Sequence, residues 1–143
     1  MLCLSIQSAW HRFTLRGRPG FVFWKSFFKG RPMSSSLARA RTRAYIQQSG
    51  LCYYCDRLMW NDADGLVAMT ANANISRRKA GRFQCTAEHL IARSEGGLNS
   101  QSNIAAACRF CNMTRHRSKT PRDPLEYRKH VQNRLRRKKW QPL

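Results

Sequence analysis

Acidic residues are scarce in this chain. Its 143 residues hold 7 Asp and Glu against 27 Lys and Arg, a formal net charge of +20. No acid precedes Asp56, and beyond Asn112 only Asp123 and Glu126 stand against eleven basic side chains. Such an excess cannot all be paired internally and points to a polyanionic partner, nucleic acid ahead of an anionic membrane surface. Long apolar runs are also missing: no window approaches the roughly 18 uncharged apolar residues of a membrane helix. Residues 2–10 are short, mixed with polar groups and not preceded by a basic region, which argues against a secretory signal. There is no internal repeat, and the length suits one domain. An apolar share of 42% is too high for a wholly disordered chain.

The composition divides the chain into a basic arm (1–33), a mixed-charge centre (34–120) and a basic C-terminal helix and tail (121–143). In the arm, Phe21-Val22-Phe23-Trp24 and Phe27-Phe28 are broken up by glycine and proline. Two readings stay open for it: a poorly packed arm, or an over-long start with Met33 as the true beginning. Its acid-free, Arg-bearing composition also resembles a mitochondrial transit peptide. From Ser34 a helix is expected to about Ser49, capped by the serines at 34–36 and closed by Gly50 at the C′ position. A second is expected from Pro124 to about Lys138, with Asp123 as cap and Tyr127, Val131 and Leu135 on one face. Arg134 to Lys139 then form a tail that frays or grips phosphate.

Cys52-Tyr53-Tyr54-Cys55 and Cys108-Arg109-Phe110-Cys111 are two CxxC knuckles. Each lets two thiolates of a tight turn face one cation, and together they complete a tetrahedral S₄ site. Soft thiolate ligands select Zn²⁺ over Mg²⁺ or Ca²⁺. A redox pair would need no second knuckle, and disulfides are rare in the intracellular compartment that the charge suggests. Residues 56–107 separate the knuckles, more than a simple zinc ribbon holds, so a substructure is looped out between them. Cys3 and Cys85 have no partner at ligand spacing; Cys85 suits a small buried apolar position.

The looped-out stretch ends in Glu88-His89, a Gly96-Gly97 loop, Asn103 before an apolar run, and the second knuckle followed directly by Asn112. This composite closely resembles the HNH endonuclease family in its four-cysteine zinc-bearing form, over about Leu37 to Lys119, with its signature from Thr86 to Asn112. The resemblance implies an α+β fold, a small ββα-metal finger with a structural zinc and flanking α-helices. Its strands would lie near Phe83–His89 and Asn103–Ala107, with a helix from near Arg109. By position, His89 is the first motif histidine, Asn103 the middle asparagine, and Asn112 stands where the last motif histidine falls. Glu88 stands where the family more often has Asp, one methylene shorter.

The chemistry follows. His89 has the intrinsic pKa to take a water's proton near neutral pH. Glu88 and Asn112 offer hard oxygen ligands to one Mg²⁺-like divalent ion, which neutralises the phosphate and the leaving oxygen. Asn103, by the resemblance, ties down the loop that aims His89. His11, His116 and His130 fall to surface or phosphate-facing roles. Residues 61–82 stand as an insertion, either a loop or hairpin touching phosphate or an idle solvated one. Tyr53, Tyr54 and Phe110 pack around the sulfurs. The resulting expectation is a metal-dependent DNA endonuclease with no membrane partner, cytoplasmic in a prokaryotic or phage-like setting. The rivals are a non-catalytic zinc-containing nucleic-acid-binding module and an RNA-binding accessory protein, neither of which needs the Glu88-His89 pair.

Overall fold

The computed structural model describes residues 35–141; the expectations for the arm, its start and Cys3 lie outside them. Helix α1 spans Ser36–Gln47, and Ser35 Oγ accepts from the Ala38 amide as its N-cap. Its end falls one residue earlier than the glycine suggested. Ser49 takes the left-handed C′ conformation (φ 52°), and Gly50 follows with φ 74°. Their amides bond to Ile46 and Tyr45 carbonyls, the paired closure of a Schellman motif.

Residues 61–82, expected as a loop or hairpin, are largely helical. Asp62 caps α2 (Ala63–Asn72) by accepting from the Gly65 amide, and Ser76 caps a single turn, α3 (Arg77–Ala80). The alternation that marks a hairpin is missing here, and each turn begins with its own capping side chain.

Strands β1 (Cys85–His89) and β2 (Ile104–Cys108) pair antiparallel, with Cys85 opposite Cys108 and His89 opposite Ile104. Every residue of β2 is buried, which explains its Ala105-Ala106-Ala107 run: small side chains let neighbours approach on both faces. Its outer edge is covered, since Gln48 pairs with both the amide and the carbonyl of Ala106 and the Tyr53 amide bonds to the same carbonyl. Helix α4 (Arg109–Arg115) leaves β2 directly, with Cys108 as its N-cap.

Helix α5 (Pro124–Arg136) begins as the sequence implies, with Pro124 in its first turn and Asp123 accepting from the Leu125 and Glu126 amides. It braces both knuckles. Tyr127 donates to the Cys111 carbonyl at 3.1 Å, Gln132 to the Tyr54 carbonyl at 2.8 Å, and Arg128 pairs with Asp56 at 2.8 Å. Arg134 and Arg136 belong to the helix, and Trp140 beyond it is buried in the core. Tyr53, Phe110 and Leu135 pack against that core.

The largest wholly buried side chains among the described residues are Tyr54, Val131, Glu88 and those of Cys52, Cys85, Cys108 and Cys111. A core so poor in large aliphatic groups needs another source of cohesion.

Candidate functional site

Two clusters meet across the small sheet. In the first, one ligand atom from each of Cys52, Cys55, Cys108 and Cys111 lies within 4.8 Å of every other, and all four residues are buried. The Cys55 and Cys108 sulfurs stand 3.9 Å apart, close to the ~3.8 Å edge of a tetrahedron built on ~2.3 Å zinc–sulfur bonds. Backbone amides of Tyr54 and Cys108 aim at Cys52 Sγ, and that of Cys111 aims at Cys108 Sγ. Hydrogen bonds from Cys108, Cys111 and Cys55 hold Cys52 far below the ordinary thiol range. Cys111 is driven up, first by its hydrogen bond to Cys108. Cys108 rises too: its bond from Cys111 lowers it, but those with Cys52 and Cys55 and its burial prevail. Four thiolates need a cation among them, and this donor set fits zinc. Cys85 takes no part; burial pushes its thiol up to about 11, and it sits in the core as a neutral group.

The second cluster grows from the end of β1. Neighbouring residues of a strand face opposite sides, so Glu88 and His89 meet different partners. Glu88 is fully buried. Arg115 Nη1 donates to its Oε1 at 2.5 Å, and His116 Nε2 lies 3.2 Å from Oε1 and 3.3 Å from Oε2. The carboxylate also pushes up the pKa of the wholly buried Tyr54 phenol, after burial itself. Asn112, one turn of α4 before His116, donates through Nδ2 to Thr86 Oγ1 and the Ala87 carbonyl, both at 3.0 Å. Both amide hydrogens are thus engaged, which leaves its oxygen as the group able to accept or ligate.

His89 has a separate support. Its Nε2 lies 2.9 Å from Asn99 Oδ1, while Asn99 Nδ2 donates to Ser36 Oγ at 3.3 Å. With the amide nitrogen committed to Ser36, the amide oxygen faces the ring. Nε2 then carries the hydrogen and Nδ1 keeps the lone pair. Asn103 pins the loop between the strands: its Oδ1 accepts from the Ile91 amide at 2.7 Å, and its Nδ2 donates to the Ile91 and Leu98 carbonyls. Gly97 makes this loop possible, since a Cβ there would stand 1.9 Å from the Ile91 carbonyl oxygen.

Residues 76–118 match the family model described as HNH endonuclease. This segment is similar to an HNH endonuclease domain. The match takes in α3, both strands, the second knuckle and α4, and ends two residues past His116. No curated protein and no solved structure matches the chain. The HNH family acts on nucleic acid as a nuclease and uses divalent metals. No helix among the described residues is long and apolar enough to cross a membrane.

All four sequence-derived HNH site residues fall within or next to the ββα unit, but they divide into two groups. Glu88 and Asn112 lie toward α4; His89 and Asn103 serve the loop between the strands. Three further residues escaped the sequence reading. His116, placed among surface histidines, stands against Glu88, and its signal was the i, i+4 spacing from Asn112 on one helix face. Arg115, the cation beside Glu88, had no signal beyond adjacency to it. Asn99 reaches His89 ten residues away through a turn whose geometry no periodicity reveals. A carboxylate, an amide oxygen and an imidazole form a mixed hard and borderline donor set that fits a divalent ion such as Mg²⁺, Mn²⁺ or Ni²⁺.

Proposed function

We propose that the protein is a metal-dependent endonuclease that hydrolyses DNA phosphodiester bonds. The observation that carries this reading is the separation of roles around one strand end. The buried Glu88 carboxylate lies 3.2 Å from His116 at the end of α4, Asn112 stands one turn earlier on that helix, and His89 is anchored separately, its Nε2 held by Asn99. In this reading Glu88 and Asn112 hold the ion, with His116 as a third candidate ligand. A bound divalent ion supplies charge neutralisation on the phosphate and the leaving oxygen. His89 accepts the proton of the attacking water at Nδ1, and Asn99 fixes the ring by holding Nε2–H. Asn103 keeps the loop that carries Asn99 closed against β1.

The ion in the cysteine cluster is assigned as Zn²⁺, in a structural role, because all four positions are filled by thiolate and none is left for substrate. The nuclease domain is assigned to residues 34–120, with 121–143 as a helical brace, and the free thiols suit a reducing, cytoplasmic setting.

One observation favours a second reading, a non-catalytic zinc-containing nucleic-acid-binding module. Arg115 already compensates the Glu88 carboxylate, so that group needs no ion to remain buried. Incubation of the purified full chain with supercoiled plasmid, with and without Mg²⁺, Mn²⁺ or Ni²⁺, separates the two. Metal-dependent nicking or linearisation that His89→Ala abolishes supports the enzyme; intact plasmid under all conditions leaves the binding module.

A further inference from the structure

A groove between α3, the turn that follows it and the outer face of α4 is lined by Arg77, Arg78, Arg82, Arg109 and Arg117. We propose that it seats the sugar-phosphate backbone of the nucleic acid beside the Glu88–His116 cluster. The proposal rests on the nucleic-acid reading of the domain, though not on catalysis.

Four features carry it. All five guanidiniums are exposed, no acidic residue lines the groove, and none of the five pairs with a described carboxylate. Five like charges gathered in one groove repel one another, and a polyanion that neutralises them removes that cost. Second, the cations are all arginine: Lys79 sits on the same turn yet does not line the groove. Arginine's planar fork matches two phosphate oxygens at once, where lysine offers only a point charge. Third, the floor is apolar and polarisable. Phe110, with Arg82 above its ring at 5.9 Å, and the half-exposed Met113 suit the sugars of a backbone better than free phosphate or a carboxylate-rich peptide. Fourth, α4 links the groove to the candidate site, because Met113 and Arg117 immediately follow Asn112 and His116 in sequence. Successive residues turn by about 100° around a helix roughly 10 Å wide, so a strand crossing α4 reaches both.

Backbone contacts hold the duplex without reading its sequence. The test is fluorescence anisotropy of the full-length zinc protein on two labelled duplexes of unrelated sequence, without added Mg²⁺ or Mn²⁺, across a salt series. The groove variant is Arg77→Gln/Arg78→Gln/Arg117→Gln. Its control of equal charge loss is Arg43→Gln/Arg122→Gln/Lys129→Gln, on exposed positions that neither line the groove nor belong to the basic tail. Each phosphate contact contributes about 0.9 to the slope of log affinity against log salt. The groove variant should lower that slope by about 2–3 on both duplexes, leaving their affinity ratio and the melting temperature unchanged, and the control should change the slope by less than one contact. Equal losses in the two variants, a changed affinity ratio, an unchanged slope, or a wild-type chain that binds neither duplex would each overturn the proposal. Because divalent ions are left out, a protein that cuts no plasmid but passes this test removes the enzyme reading and leaves the groove standing.

Discussion

Arg115 and Glu88 form an ion pair sealed from solvent: Nη1 meets Oε1 at 2.5 Å, with the two side chains 7% and 0% exposed. The pair joins the end of β1 to the last turn of α4, and Arg115 Nε also holds the Arg122 carbonyl at 3.0 Å. Breaking one side of such a pair strands a buried charge, at a cost of about 3–5 kcal/mol, whereas replacing both sides with neutral groups is far cheaper. Glu88→Gln should therefore lower the urea midpoint sharply, and Glu88→Gln/Arg115→Met should recover much of the loss. A double variant no more stable than the single one would show that the pair does not hold the two elements together.

The cysteine cluster should contain one zinc per chain, and the fold should depend on it. Structural zinc contributes on the order of 10 kcal/mol to a small finger, more than a core this poor in aliphatic groups can replace. Cys111→Ser, or a strong chelator, should abolish the cooperative unfolding transition seen by circular dichroism. Elemental analysis that finds folded protein free of zinc would refute the assignment.

His89→Ala should lower the cleavage rate by about 10²–10⁴ with zinc content, melting temperature and duplex affinity unchanged. Asn99→Ala should lower kcat by less, since it releases the ring from its Nε2 partner without removing the base. Rate measurements under saturating plasmid distinguish the two. Wild-type cleavage by His89→Ala would assign the activity to another site.

Gly97→Ala should be costly where Gly81→Ala is not. A Cβ at Gly97 meets the Ile91 and Ala92 carbonyl oxygens at 1.9 and 2.9 Å, while nothing lies within 4 Å of one at Gly81. Backbone cannot yield as a flexible side chain does, so the loop must open, at about 1–3 kcal/mol. The melting temperature and the cleavage rate should both fall in Gly97→Ala, with zinc retained, and neither should change in Gly81→Ala.

Much of this molecule is local and was legible as such. The CxxC spacing places two thiolates on one turn whatever surrounds it, and Asp123-Pro124 sets the start of α5 through the carboxylate cap and fixed φ of two neighbouring residues. The Thr86–Asn112 composite marks the two strands and α4 to within two residues of where they lie. Other features depend on neighbours distant in sequence. The 61–82 stretch lacks a clear period, so its helices follow from single capping residues. Trp140, read as part of a basic tail, is buried because α5 brings it back over Phe110, with ring centroids 5.4 Å apart.

The sequence by itself determined the chain's own charge excess, the two cysteine pairs of the cluster and the pairing of an acid with a histidine, because these are matters of residue type and short spacing. Tertiary structure decided which groups each of that pair would meet. The alternation of β1 sends Glu88 inward to Arg115 and His116 from α4, and leaves His89 to Asn99 on a loop held by Asn103 and tethered to α1. Those partners lie ten to twenty-eight residues away, and only the closing of the sheet brings them within hydrogen-bonding distance.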